Sequence, residues 1–190
     1  KYSSSLQNDF ICLIIASIPI ILIGAIITMF FNSFIFNLLT IGFVSILGGI
    51  ILELSDRFGK KRQNTSLSYK TSFFAGIIQC LAIIPGMSRS GASITALRIG
   101  GLNRVKSAEF SLLMGIPVIS ISSFFSLFQI ISSGEQYLVF GFFSIFIISF
   151  FTALISIKWM LKWLVNKSFI IFVIYRTIFG LILILSYFYI

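Results

Sequence analysis

Histidine is absent from this 190-residue chain. Its absence removes the commonest general base near neutral pH and a favoured ligand for transition metals. Charge is scarce as well. Charged residues make up 10% of the chain, against roughly 25% in an ordinary soluble domain. A water-facing surface cannot be built from so few, which excludes a soluble globular protein. The two cysteines, Cys12 and Cys80, stand inside apolar runs with no flanking ligands. They read as small buried apolar residues, and a disulfide or metal site is not expected. The chain starts KYSSSLQNDF, with no initiator methionine and no charged-then-apolar leader. It is therefore expected to be N-terminally incomplete.

What is abundant is apolar: 58% of the residues are hydrophobic, and they come in long uninterrupted runs. That is the signature of helices crossing a bilayer. The formal net charge of +9 would raise nucleic acid as a partner of a soluble chain. Here the basic residues cluster between apolar runs. They read as markers of cytoplasmic loops, and no nucleic-acid partner is expected.

Five stretches are long enough to cross about 30 Å of hydrocarbon: 10–31, 34–54, 105–131, 137–160 and 169–190. The stretch 71–101 differs. Its two arms are short and a polar break, PGMSRSG, separates them. The pattern predicts an all-α, polytopic membrane bundle over residues 1–190, with 71–101 as a re-entrant helix–loop–helix. Charge placement supports that choice. With re-entry, the loops carrying Arg57, Lys60, Lys61, Arg62 and Lys70, then Arg104 and Lys106, then Lys158, Lys162 and Lys167, all face the cytoplasm. The loop with Glu135 faces out. Irregular backbone at membrane depth is tolerated only in protein or beside a wet cavity, so the break is a functional-site candidate.

The break has the chemistry of an anion cradle. Pro85 and Gly86 end the incoming helix, one lacking an N–H and the other permitting a left-handed backbone. Ser88 and Ser90 offer hydroxyls. Arg89 offers a planar fork of donors that matches phosphate oxygens. Gly91 allows close backbone approach, Ser93 adds a hydroxyl, and the next helix turns its positive end toward the loop. The expected anion is a phosphate or diphosphate. The plainer reading is a kinked helix whose arginine snorkels to the interface.

QCLAIIPGMSRSGASIT followed by NRVKSAEFSLLMGIP resembles a signature region of bacterial undecaprenyl-diphosphate phosphatases, the bacitracin-resistance family. IKWMLKWLVNKSFIIFVIYRTIFGLI is similar to that family's C-terminal hairpin. The resemblance implies an inverted-repeat membrane fold with two re-entrant hairpins, in the bacterial cytoplasmic membrane, open to the outer side. It implies release of phosphate from an isoprenoid diphosphate lipid that serves cell-wall synthesis. Ser88 and Arg89 take the catalytic and diphosphate-binding positions, with Gly86, Ser90, Gly91 and Ser93 around them. A divalent cation, Mg or Ca, is expected on acidic ligands in the missing N-terminal part, where the family's first hairpin would stand. This chain assigns no metal ligand and, by itself, is expected to be inactive. A homodimer is left open, and membrane lipids are the surrounding partners.

Two other classes compete. A transporter or flippase of a phosphorylated lipid or small anion would also use broken helices, and an inactive remnant would show a single hairpin. Elsewhere, Glu53 and Asp56 read as a solvated pair at a helix end. Arg98 reads as a second phosphate contact or as a snorkelling charge. Arg176, about 10 Å along the last span, reads first as an ion-pair partner for Glu109 and second as added charge for the phosphate site. Gln79 is expected to bond another helix or the loop backbone. Gly48, Gly49, Gly76 and Gly180 are expected at close helix crossings. Trp159, Trp163 and Tyr137 fit interfacial belts.

Overall fold

A computed structural model describes residues 2–30, 37–59, 64, 66–132 and 136–189. Seven α-helices and no strand are present among the described residues. They are α1 (Tyr2–Phe30), α2 (Leu38–Gly59), α3 (Tyr69–Gln79), α4 (Arg89–Ile99), α5 (Arg104–Ser132), α6 (Gln136–Asn166) and α7 (Ile170–Tyr189). Five of them contain segments long and apolar enough to cross a membrane: Gln7–Ile27, Leu38–Gly59, Arg104–Ser132, Phe143–Asn166 and Ile170–Tyr189. These correspond to the five expected spans, with shifted limits. The chain is a multi-pass helical membrane bundle. The end of the first expected span, the start of the second, Lys60, Lys61, Arg62 and Glu135 lie outside the described residues, as does the Tyr137 side chain.

Most large apolar side chains of these helices are exposed. On α6, Phe143, Phe146, Ile148 and Ile155 all face outward. In water that would be an aggregation surface; in hydrocarbon it is the ordinary outer face of a span. The interior is instead sealed by small residues. α2 and α7 pack along each other, and α1 packs along α3. A Cβ on Gly42 would stand 2.7 Å from the Gly180 carbonyl oxygen, and one on Gly76 would run into the Ala16 carbonyl. Without a strong hydrophobic drive between helices in lipid, such backbone proximity supplies the packing. Gly49 meets only ordinary contacts, and Gly48 faces a side chain, Arg176.

α2 outruns its apolar stretch. It takes in Ser55, Asp56, Arg57 and Gly59, which the sequence reading gave to a polar loop. The reason is Asp56, which is 1% exposed and held by two arginines from distant segments. α6 similarly continues past 160 to Asn166, with Lys158 and Lys162 on its exposed side.

α3 and α4 form a hairpin too short to cross. Ser68 caps α3, its hydroxyl accepting from the Thr71 amide at 3.2 Å. α3 then tightens into a 3₁₀ turn, Cys80–Ile83, and stops at Ile84, whose extended backbone is what a following proline favours. α4 runs back to Gly100. There Gly100 sits against the Thr71 methyl, so both arms end at the same level. Asn64 ties that base: its amide donates to the Gly101 carbonyl at 3.1 Å, and its carbonyl accepts from Asn103 at 3.0 Å. Gly101 has φ +94°, the left-handed value that glycine tolerates.

Candidate functional site

The hairpin tip is residues 84–91. Gly86 has φ +93°, and a Cβ there would collide with the Ile41 carbonyl of α2. The turn therefore needs glycine twice over, for its backbone angle and for its neighbour. Ser88 is the N-cap of α4. Its hydroxyl accepts from the Gly91 amide at 3.1 Å and lies 3.2 Å from the Ser90 hydroxyl. The amides of Arg89 and Ser90 have no acceptor among the described residues. They are free donors at the positive end of an eleven-residue helix.

Arg89 is half-buried and lies against α5. One guanidinium nitrogen donates to the Ser111 carbonyl at 3.2 Å, and the group rests over Gly115, which has no side chain to displace it. Ser111 answers by donating its hydroxyl to the Ser90 carbonyl at 3.2 Å. α5 thus holds the first turn of α4 at two points, leaving other N–H groups of Arg89 unspent.

Arg176 also belongs to this tip. It is 7% exposed and reaches from α7, past Gly48 of α2, to donate to the Gly86 carbonyl at 3.1 Å. Its Nη1 is buried with no partner among the described residues. That atom lies beside Gly91, close enough that a Cβ on Gly91 would stand 2.8 Å away. Glu109, the first-choice partner, is not there. It sits 3.8 Å from Lys106, which also reaches Asp9 at 3.4 Å. A buried guanidinium with an idle nitrogen is costly in an apolar setting. The expected pair with Glu109 is therefore not made, and Arg176 instead ties α7 to the hairpin tip.

Ser93 faces away from the tip. It is fully buried, donates its hydroxyl to Gln79 Oε1 at 2.9 Å and lies 3.1 Å from the Arg89 carbonyl oxygen. Gln79 thereby bonds another helix, as expected, and its Nε2 is buried and unpartnered. Gly91 is buried against Ser88 and Arg176, so its lack of a side chain makes room for a guanidinium. Of the six cradle residues, Ser88, Arg89 and Ser90 stand together on the partly open side. Gly86 and Gly91 shape the turn, and Ser93 braces it from behind.

Arg98 and Asp56 both differ from the expectation and are buried against each other. Arg98 neither snorkels nor reaches the tip. It is 2% exposed, donates from Nε to Asp56 Oδ1 at 3.0 Å, and caps the Leu102 carbonyl. Arg104 grips the same carboxylate through Nε and Nη2, at 2.7–3.0 Å. Asp56 is therefore no solvated helix-end residue. Glu53 does stay outside that grip, paired with Arg57 at 2.8 Å.

The donor set offers little to a metal. Among the described residues no three acidic, cysteine or histidine side chains gather. Both oxygens of Asp56 are already taken by arginine. These residues do not fit a divalent cation.

Comparison with known proteins places the chain in a family. The family model "Bacitracin resistance protein BacA" matches residues 2–182. A protein of Prochlorococcus marinus named undecaprenyl-diphosphatase is 40% identical over 180 residues, covering 90% of this chain and 66% of that protein. One of the same name from Psychrobacter is 35% identical over 181 residues, 91% of this chain and 62% of that protein. A third, undecaprenyl-diphosphatase 2 of Pseudoalteromonas translucida, is 37% identical over 193 residues, 96% of this chain and 73% of that protein. The chain spans roughly two thirds of the length of these relatives.

Proposed function

The chain belongs to the BacA bacitracin-resistance family, and on that premise we propose that it forms the diphosphate-gripping part of an undecaprenyl-diphosphate phosphatase. The names of its relatives support the substrate class. One observation carries the assignment of the site. Arg176 Nη1 is buried beside Gly91 with no partner among the described residues, at the same turn where Arg89 starts α4 and the Arg89 and Ser90 amides are free.

A diphosphate ester brings two or more negative charges into a low-dielectric place. In this proposal Arg89 and Arg176 neutralise them, while the amides of Arg89 and Ser90 and the two serine hydroxyls fix the oxygens. Charge that builds on the oxygens during phosphoryl transfer is then met by donors already in place, which is the larger part of catalysis in such reactions. Ser93, Ser111 and Gln79 keep the turn in position. The attacking group, the base and the ligands of a divalent cation are proposed to come from other residues than those described. A Mg or Ca ion would supply further charge neutralisation, and no step here is routed through it. The hairpin is proposed to enter and leave the cytoplasmic membrane on its basic face, with the tip reached from the outer side and the lipid chain among the apolar helices. By this reading the 190-residue chain alone releases no phosphate.

The test is an Arg89→Ala substitution in the full-length enzyme. Turnover of undecaprenyl diphosphate is expected to be lost while insertion and helix content stay normal. Phosphate release near the parent rate from that variant would reject the assignment.

A further inference from the structure

A cavity of about 230 Å³ opens at the base of the hairpin, among the ends of four helices. Gly59 closes α2, Arg98 lies near the end of α4, Asn103 and Arg104 begin α5, and Val165 lies near the end of α6. α4 separates this cavity from the tip by about 16 Å, at 1.5 Å per residue.

Its lining carries uncompensated positive charge. Two arginines, Arg98 and Arg104, share the single carboxylate of Asp56. The nearest other acid, Glu53, is matched by Arg57. One positive charge is left over. The Asp56 carboxylate and the carbonyls of Asp56, Leu102 and Lys167 take seven hydrogen bonds from the two guanidinium groups, which still leaves each with N–H groups to spare. Arg104 is 22% exposed, so its side chain is accessible. Asn103 caps α5 through the Lys106 amide, leaving the amides of Arg104 and Val105 without an acceptor among the described residues. The neighbouring α6 surface bears Trp159 and Trp163, tilted against each other with centroids 5.6 Å apart, the residue type that settles at a bilayer interface.

We propose that this cavity binds the phosphate of an anionic bilayer lipid headgroup. Basic pockets between helix ends on the cytoplasmic side hold such headgroups through the charge they leave unpaired. The volume admits a phosphate ester with room for a small alcohol, and the lining comes from helix ends, the level at which headgroups stand when such helices cross a bilayer. The inference stands apart from the phosphatase reading, since it uses none of the tip residues.

The chain's two tryptophans supply the probe. In phosphatidylcholine vesicles, brominated phosphatidylglycerol is expected to quench their fluorescence more than brominated phosphatidylcholine at the same mole fraction. Val165 is exposed at the cavity and takes no part in the tip. Val165→Glu should lower the relative affinity for phosphatidylglycerol about fivefold, and Val165→Lys should raise it by a similar factor. Ser66→Glu, also exposed but outside the cavity, should leave the excess quenching intact. Equal quenching by the two lipids, or loss of the excess in Ser66→Glu to the same degree, overturns the proposal. Dissolved inorganic phosphate that competes away the phosphatidylglycerol excess supports it. Dissolved phosphate that perturbs the tryptophans with no lipid preference overturns it in favour of a free-anion site.

Discussion

At the base of the hairpin, Arg98 and Arg104 close on Asp56; at its tip, Arg89 and Arg176 have no carboxylate among the described residues. Both pairs are wholly or partly withdrawn from solvent. The base answers burial with a counter-charge of its own. Among the described residues the tip answers with backbone carbonyls, one for each guanidinium. A carbonyl satisfies an N–H but does not cancel a charge. The difference separates an arginine that ties helices together from one that, in the proposed function, meets an anion brought from elsewhere.

The largest expected effect breaks the base. Asp56→Ala leaves two arginines facing each other without a carboxylate and should destabilise the fold by roughly 3–5 kcal/mol. Unfolding of the purified protein in detergent reads this, and a loss near zero would mean that the base is not a structural tie. At the tip the same kind of removal should act on function and leave the fold alone. Arg89→Ala should lower turnover by about 10²–10³-fold, with the unfolding midpoint close to that of the parent.

A sharper contrast comes from Arg176→Met, which keeps the length and drops the charge. Binding of a non-hydrolysable diphosphate analogue should weaken by about 1.5–3 kcal/mol, the worth of hydrogen bonds to a charged group. Stability should hold or rise, since an unpaired buried cation is removed. Lost stability with unchanged affinity would move Arg176 to the structural side of the comparison. Ser93→Ala is the smallest case. It removes one hydroxyl behind the tip and should cost about 1 kcal/mol of stability, with KM for the lipid unchanged.

The spans were legible because lipid imposes a simple demand. A helix must be long and apolar to cross, and the five runs satisfy that in the bare sequence. The hairpin was legible for the opposite reason, since its arms are short and its middle polar. The residues of the turn itself are neighbours in sequence, so Ser88, Arg89 and Ser90 could be read as one group. Asp56 could not be read. Its partners lie 42 and 48 residues away, and a carboxylate after an apolar run looks solvated until those partners arrive. Arg176 reaches Gly86 across 90 residues, and nothing local distinguishes that partner from Glu109. The side on which Ser93 points was not legible either, because α4 is buried on every side from Gly91 to Arg98. A helix with no polar face gives no clue to which side a serine points.

Asn64 pins the two feet of the hairpin together with a pair of backbone hydrogen bonds. The turn that carries Arg89 is held at its far end as well, where Gly86 rests on the Ile41 carbonyl of α2 and accepts from Arg176 of α7. A hairpin clamped at foot and tip cannot slide by itself: any shift of the turn must carry α2 and α7 with it.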